Sequence, residues 1–316
     1  IDSSGLFFNT KLHTGTGSAA SITGVGFQPD MVWSKQRNGT DNHNIIDAVR
    51  GVTKLIQPDN NSAEQTGSQS LTSFDSDGFS VGTDGAWNGN SNTYCMWNWK
   101  ANGQGSANTD GSINTTYTSA NTTSGFSIVK WTGTGSNGTI GHGLGIAPEL
   151  VFYKLLTTSG YYTYAKHALG SNGASGKVVI GFLENTAAWT NDTSSFQQTD
   201  PSSTLLYIGG GANQSGANIA YCFSSVTGFS KIGSYIGNGN ADGTFVYTGF
   251  KPAFFMVKKT SATGGNWYIY DSKRDGQNIG TGQTGGNRSL RPNTTDSEES
   301  SSGYAVDILS NGFKLR

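Results

Sequence analysis

Gly26-Phe27-Gln28-Pro29-Asp30-Met31-Val32-Trp33-Ser34-Lys35 decides the fold, because the chain carries this pattern three times. It returns as Gly145-Ile146-Ala147-Pro148-Glu149-Leu150-Val151-Phe152-Tyr153-Lys154 and as Gly249-Phe250-Lys251-Pro252-Ala253-Phe254-Phe255-Met256-Val257-Lys258. Each copy runs Gly, apolar, any residue, Pro, then an apolar run that closes on Lys. A proline just ahead of such a run costs no ladder hydrogen bond, and β-branched and aromatic residues suit a pleated surface. The motif therefore reads as the entry to a β-strand.

Further echoes flank it. Upstream stand Lys11-Leu12-His13-Thr14-Gly15-Thr16-Gly17, Lys130-Trp131-Thr132-Gly133-Thr134-Gly135 and Ser234-Tyr235-Ile236-Gly237-Asn238-Gly239. Tyr94-Cys95-Met96-Trp97 and Tyr221-Cys222-Phe223 close the first two copies, which puts Cys95 and Cys222 at one shared position. Asp77-Gly78, Asn137-Gly138, Asp242-Gly243 and Asn311-Gly312 are hairpin dipeptides, since Asn, Asp and Gly tolerate positive φ. Ile45 to Leu55 has some helical character but is short and β-branched. The expectation is an all-β chain of three tandem β-sandwich-like repeat units at residues 1–103, 124–228 and 229–316. A Gly/Asn/Ser/Thr-rich linker or long loop at 104–123 separates the first two. The third unit stops just after its Asn-Gly-Phe strand and so lacks its last strand, which residues further on or a neighbouring chain would supply.

The chain has 316 residues, 46 of them Gly, and its charged share is 13%, half that of an ordinary soluble domain. Lys and Arg number 20 and Asp and Glu 21, giving a net charge of −1, which argues against duplex nucleic-acid binding and against an electrostatic hold on anionic membranes. With 7 Trp, 13 Tyr and 16 Phe the chain has the apolar mass to fold. No apolar stretch is long enough to span a bilayer as a helix. The opening at Ile1, without Met or a signal-like stretch, reads as a processed product or a fragment.

Catalytic and metal signatures do not emerge. His13, His43, His142 and His167 have no metal-ligand spacing, and no Gly-x-Ser-x-Gly elbow occurs. Asp75-Ser76-Asp77-Gly78 opens like a calcium loop but lacks the third acid and closing Glu, so a polar hairpin turn is expected and no cofactor is assigned. Cys95 and Cys222 read as small buried hydrophobes, with Cys95, Trp97 and Trp99 on one strand face and Tyr94, Met96 and Asn98 on the other. Asp47 with Arg50, and Asp271 with Arg274, follow the motif lysines by 12 to 16 residues. They read as ion pairs bracing a loop, with a sugar or acid site as the rival use. The second copy has Lys166-His167 there. Trp87, Trp189, Tyr161 and Tyr162 lie in polar contexts and are the candidate glycan-binding residues, with capping of the core as the alternative.

Gly26 to Lys35, Arg50-Gly51 and Ser73-Phe74-Asp75-Ser76-Asp77-Gly78-Phe79 resemble an uncharacterised Gly/aromatic repeat domain of tail and appendage proteins of marine bacteriophages, especially those of cyanobacteria. Gly141-His142-Gly143-Leu144-Gly145 and Gly249-Phe250-Lys251-Pro252 are similar to its other copies. The resemblance implies a virion setting and carries no active-site residue. The resulting expectation is a non-enzymatic virion protein, a tail fibre, appendage or surface fibre. It would self-associate as a homo-oligomer such as a trimer, contact other virion proteins and have host-surface carbohydrate as a candidate ligand. The rivals are an extracellular filament or cell-surface adhesin that polymerises by strand exchange, and a polysaccharide-degrading tail spike.

Overall fold

The computed structural model describes residues 1, 3–165, 178–192, 194–274, 288–300, 303 and 305–316, with the Tyr161–Ala165 strand described through its backbone. The fold is all-β: the only α-helix among the described residues is the single turn Gly85–Asn88. Ile45 to Leu55 is not helical but contributes the strand Asn44–Asp47 and the start of Lys54–Ile56.

Met31–Gln36, the strand opened by the first motif, is buried along its whole length. Its alternate residues serve two cores. Met31 and Trp33 face the largest apolar cluster of the molecule, while Val32 joins a second cluster with Ile22, Phe79, Val81 and Met96. Burial on both faces suits an unbroken apolar run, which is why Met31-Val32-Trp33 shows no polar alternation, while Ser34, Lys35 and Gln36 that follow are buried polar residues.

The first sheet runs in the order Phe8–Thr14, Thr93–Trp99, Met31–Gln36, Asn44–Asp47, Lys54–Ile56 and Gln65–Thr66. The second runs Tyr117–Asn121, Phe126–Gly133, Gly216–Phe223, Leu150–Leu155, Tyr161–Ala165, Val179–Gly181 and Thr190–Asn191. Both are antiparallel, and in both a closing strand late in sequence sits between an upstream strand and the motif strand. Smaller sheets back them: Ala20–Thr23, Gly78–Val81 and Leu71–Asp75 behind the first, Gly138–Gly141 and Leu205–Ile208 behind the second. Towards the C-terminus, Phe254–Lys258 pairs with Trp267–Asp271, and Phe245–Tyr247, Gly312–Leu315 and Val306–Leu309 back that pair through Phe255, Tyr270, Val306 and Phe313.

The central cluster draws on all three regions: Trp33, Trp97 and Trp99, then Phe152, Ile219 and Tyr221, then Trp267 and Ile269. Trp33 stands edge-on to Trp97 at 6.0 Å and to Phe152 at 6.5 Å, and Trp97 and Trp99 meet Phe254 at 5.8 and 5.5 Å. Such offset geometries add to the area these rings bury.

Register corrects the expected alignment of the closing strands. Trp33 pairs with Trp97 and Lys35 with Cys95, whereas Phe152 pairs with Tyr221 and Lys154 with Ile219. Tyr221 therefore corresponds to Trp97, three residues away from the alignment on the Tyr-Cys dipeptides. An odd shift turns every side chain to the other face. Cys95 accordingly faces the centre beside Trp97, as its alternation suggested, while Cys222 faces the second sandwich core with Val151 and Ala220. Both cysteines are free and buried.

Residues 104–123 are not a free linker. Tyr117–Asn121 is the edge strand of the second sheet, Thr115 is buried, and Ile113 N–H donates to Thr139. The motif glycines Gly26, Gly145 and Gly249 all take left-handed φ values, +91°, +73° and +85°, which an L side chain would adopt only under strain. Their recurrence in the sequence is thus a backbone requirement of the turn into each motif strand.

Candidate functional site

The densest chemistry in the molecule is a pair of buried charge clusters built alike. Asp47 and Asp271 end the strands next to their motif strands, opposite Met31 and Phe254 respectively. Each aspartate accepts the backbone N–H of the arginine three residues on, Arg50 at 2.8 Å and Arg274 at 2.9 Å. Its other oxygen accepts that arginine's Nε, at 2.5 and 2.6 Å. Nη2 then donates to a strand carbonyl, Ile45 or Ile269, at 2.9 Å in both cases, and Nη1 reaches Glu64 or Glu298 at 3.3 Å. These are the ion pairs expected from sequence, and all four aspartate and arginine side chains are fully enclosed.

What sequence did not reveal is the third partner. Tyr221 Oη donates to Asp47 Oδ2 at 2.7 Å, and Trp97 Nε1 donates to Asp271 Oδ2 at 3.1 Å. Tyr221 and Trp97 hold the corresponding place on the two closing strands, so each cluster ties one sheet to the closing strand of another. Arg274 also lies over the Trp97 ring at 5.7 Å. Burial alone would raise the Asp271 carboxyl, yet Arg274 beside it holds it below the usual carboxylate range.

The lysines that end the motifs add a second set of ties. Lys35 Nζ donates to Gly39, Asp41 and Thr295 carbonyls at 3.1, 2.8 and 3.0 Å, and Lys154 Nζ to Asn61 and Thr158 at 3.1 and 2.9 Å. Two residues beyond each lysine, a backbone carbonyl accepts from a distant segment: Glu298 N–H to Arg37, Glu64 N–H to Leu156, and Trp189 N–H to Thr260. Burial pushes Lys35, Lys154 and Lys258 down to about 8. The only signal in the sequence for these ties was the recurrence of the lysine itself.

Trp87 and Trp189 are placed inside. Trp87 packs in the first sandwich core with Phe79 and Tyr94, at 0% exposure. Trp189 is 5% exposed and stands 6.0 Å from Trp267 in the central cluster. Neither presents a ring face to a sugar from solvent, because each gains more by burial than polar neighbours in sequence suggested. Tyr161 and Tyr162 lie on a strand paired with Tyr153 and Lys154 through its backbone. Lys166 and His167 fall outside the described residues. Pairing of Leu150 with Ala165 shows that alanine, not lysine, takes the place held by Asp47 and Asp271.

The turn at Asp75–Gly78 uses its carboxylates internally. Asp77 accepts from Gly24 and Gly26 N–H at 2.9 and 2.7 Å, which lowers its pKa, and Asp75 accepts from Ser73 and Ser80 at 2.8 and 2.7 Å. No group of three or more metal-ligating side chains assembles among the described residues. His43 is enclosed and accepts Trp33 Nε1–H on Nδ1 at 3.0 Å. His142 accepts Leu144 N–H on Nδ1, with Nε2 3.2 Å from the Ser202 carbonyl.

Burial holds both rings neutral, with Lys35 adding to the effect at His43. Their folded pKa lies below the ordinary value near 6.5, so below that pH the unfolded chain takes up protons that the folded chain refuses. Stability should then fall as pH drops through 6.5, by up to about 1.4 kcal/mol per pH unit for each ring. Urea midpoints at pH 7.5, 6.5 and 5.5 check this. A midpoint unchanged across that range would mean the rings are not held neutral.

A family described as a domain of unknown function, DUF7483, matches residues 3–316. The chain belongs to that family. One match spans the region from the first strand to the last, including all three copies of the motif. No curated protein and no solved structure matches the chain. No helix among the described residues is long and apolar enough to cross a membrane.

Proposed function

We propose that this DUF7483 chain is a non-enzymatic structural protein made of three copies of one β unit, and that it serves in a bacteriophage particle as part of a tail fibre or appendage. The observation that carries the structural reading is where the buried charges go. Asp47, Arg50, Asp271, Arg274, Lys35 and Lys154 hold one unit to the next, through partners spaced alike at successive seams. Charge buried in this way braces a rigid body, and each group is already engaged by the chain itself. The phage setting rests on the resemblance of the motif segments to repeat domains of marine phage appendages. A low charged share, with both signs balanced, suits close lateral packing of copies.

Light scattering on the purified chain at two well-separated concentrations tests the reading. A fixed oligomer such as a trimer is expected. A monomer at both concentrations would overturn self-association as the mode of assembly, and release of reducing ends from bacterial polysaccharide would overturn the non-enzymatic assignment.

A further inference from the structure

The ties between units all run in one direction. Glu64 N–H in the first unit donates to the Leu156 carbonyl in the second, and Trp189 N–H in the second donates to Thr260 in the third. Glu298 N–H in the third then donates to Arg37 in the first. Arg37, Leu156 and Thr260 each stand two residues past a motif lysine, so Glu64, Trp189 and Glu298 hold one shared place. Three steps of the same sense lead back to the unit they started from. Head-to-tail contacts of one kind make a ring when the rotation between neighbours closes.

The surroundings of each step repeat with it. Three positions before the donor, the Asn61 carbonyl accepts Lys154 Nζ at 3.1 Å and the Thr295 carbonyl accepts Lys35 Nζ at 3.0 Å. The same place in the second unit is Thr186, whose carbonyl accepts Gly264 N–H at 3.0 Å. The first two lysines also bend back alike, Lys35 to the Gly39 and Asp41 carbonyls and Lys154 to those of Thr158 and Gly160. Trp33, Phe152 and Met256 share one motif position, and all three meet in the central cluster.

The seams differ where connectivity differs. Residues 104–123 join the first unit to the second, and the stretch joining the second to the third includes 231–243, mostly exposed and without strand. The seam from the third unit to the first unites residues 261 apart, and it carries an ion pair. Arg37 Nε and Nη2 donate to the two carboxylate oxygens of Glu298 at 2.8 and 2.9 Å, the forked geometry that makes such pairs strong. Arg274 and Arg288, from the same unit as Glu298, donate to its oxygens at 3.3 and 3.0 Å and fix the carboxylate for Arg37. The matching places at the other seams hold Leu156 opposite Glu64 and Thr260 opposite Trp189, which can form no ion pair. Trp189 instead packs against Trp267 of the third unit.

We infer, on the three-copy reading above, that the units form a closed head-to-tail ring and that Arg37 with Glu298 is its clasp. The clasp holds the third unit to the first, so the ring survives a cut in the chain between the second and third. The seam surfaces are engaged within one chain, and copies that associate do so through other surfaces.

The test cuts the full, folded chain. A site for a sequence-specific protease inserted after Asn238 lies in an exposed place outside any strand. After cutting, native mass spectrometry should show the two pieces still bound, one of each. Arg37→Ala should weaken their binding by about tenfold or more, the range for a hydrogen bond to a charged group. Arg37→Lys should weaken it less, because an ammonium keeps the charge but not the fork. Glu64→Gln alters a seam that lies wholly within the larger piece and should leave the binding unchanged. In the uncut chain, hydrogen exchange should quicken around the Glu298 amide in Arg37→Ala and stay the same around the Glu64 amide. Pieces that part on cutting overturn the ring. Binding unchanged by Arg37→Ala overturns the clasp, as does exchange that quickens equally at both amides, which would make Arg37 a general stabiliser. A complex of one larger and one smaller piece that forms no higher multiples would defeat the proposed self-association and leave the ring standing.

Discussion

Asp271→Ala should lower the free energy of unfolding by about 3–5 kcal/mol, the range for removing one partner of a buried ion pair. The loss has named parts. Arg274 keeps its full charge in an enclosed place with, among the described residues, only Glu298, at 3.3 Å, as a remaining ion-pair partner. Trp97 Nε1 loses its acceptor, and the N–H groups of Lys273 and Arg274 lose theirs. Desolvated donors without partners cost about 1–3 kcal/mol each. The double change Asp271→Ala with Arg274→Met should recover much of the loss, because it removes the stranded charge and leaves an apolar chain of similar length. Urea unfolding followed by tryptophan fluorescence measures both. If the double variant is no more stable than the single one, stranded charge is not the cause.

Trp33→Ala should cost a similar 3–5 kcal/mol by another route. Trp33 is 1% exposed and stands at the centre of the cluster that joins the sheets, against Trp97 and Phe152. Its removal leaves a cavity that strands bonded on both sides cannot close, since Met31–Gln36 is fixed between Thr93–Trp99 and Asn44–Asp47. His43 Nδ1 also loses the indole donor. Trp33→Phe keeps most of the volume and should lose less than half as much. Thermal melts of the two variants give the comparison. Equal losses would show that the hydrogen bond to His43, rather than the cavity, dominates.

Local chemistry was legible in the residues. The Gly-x-x-Pro start and the apolar run closing on Lys announce a turn and then a strand, because proline and left-handed glycine restrict the backbone wherever the chain folds. All three motif strands and the hairpin at Asp77-Gly78 follow from that. So does the pairing of Asp47 with Arg50 and Asp271 with Arg274, whose partners are only three residues apart.

The seams were not legible. Trp87 and Trp189 sit among polar residues in sequence, yet distant apolar partners bury them. Cys222 was set against Cys95 by a shared dipeptide, but strand register, fixed by which face meets which core, moved it by three residues. Within the polar stretch 104–123, Tyr117–Asn121 was taken up by the second sheet because Phe126–Gly133 offered it a free edge. By itself, then, the sequence determined the all-β class, the repeated strand entry and the local ion pairs, all set by interactions within a few residues. Tertiary structure alone decided that Tyr221 meets Asp47 and Trp97 meets Asp271. Those partners lie 174 residues apart in both cases, and only packing around one shared core brings them within hydrogen-bond distance.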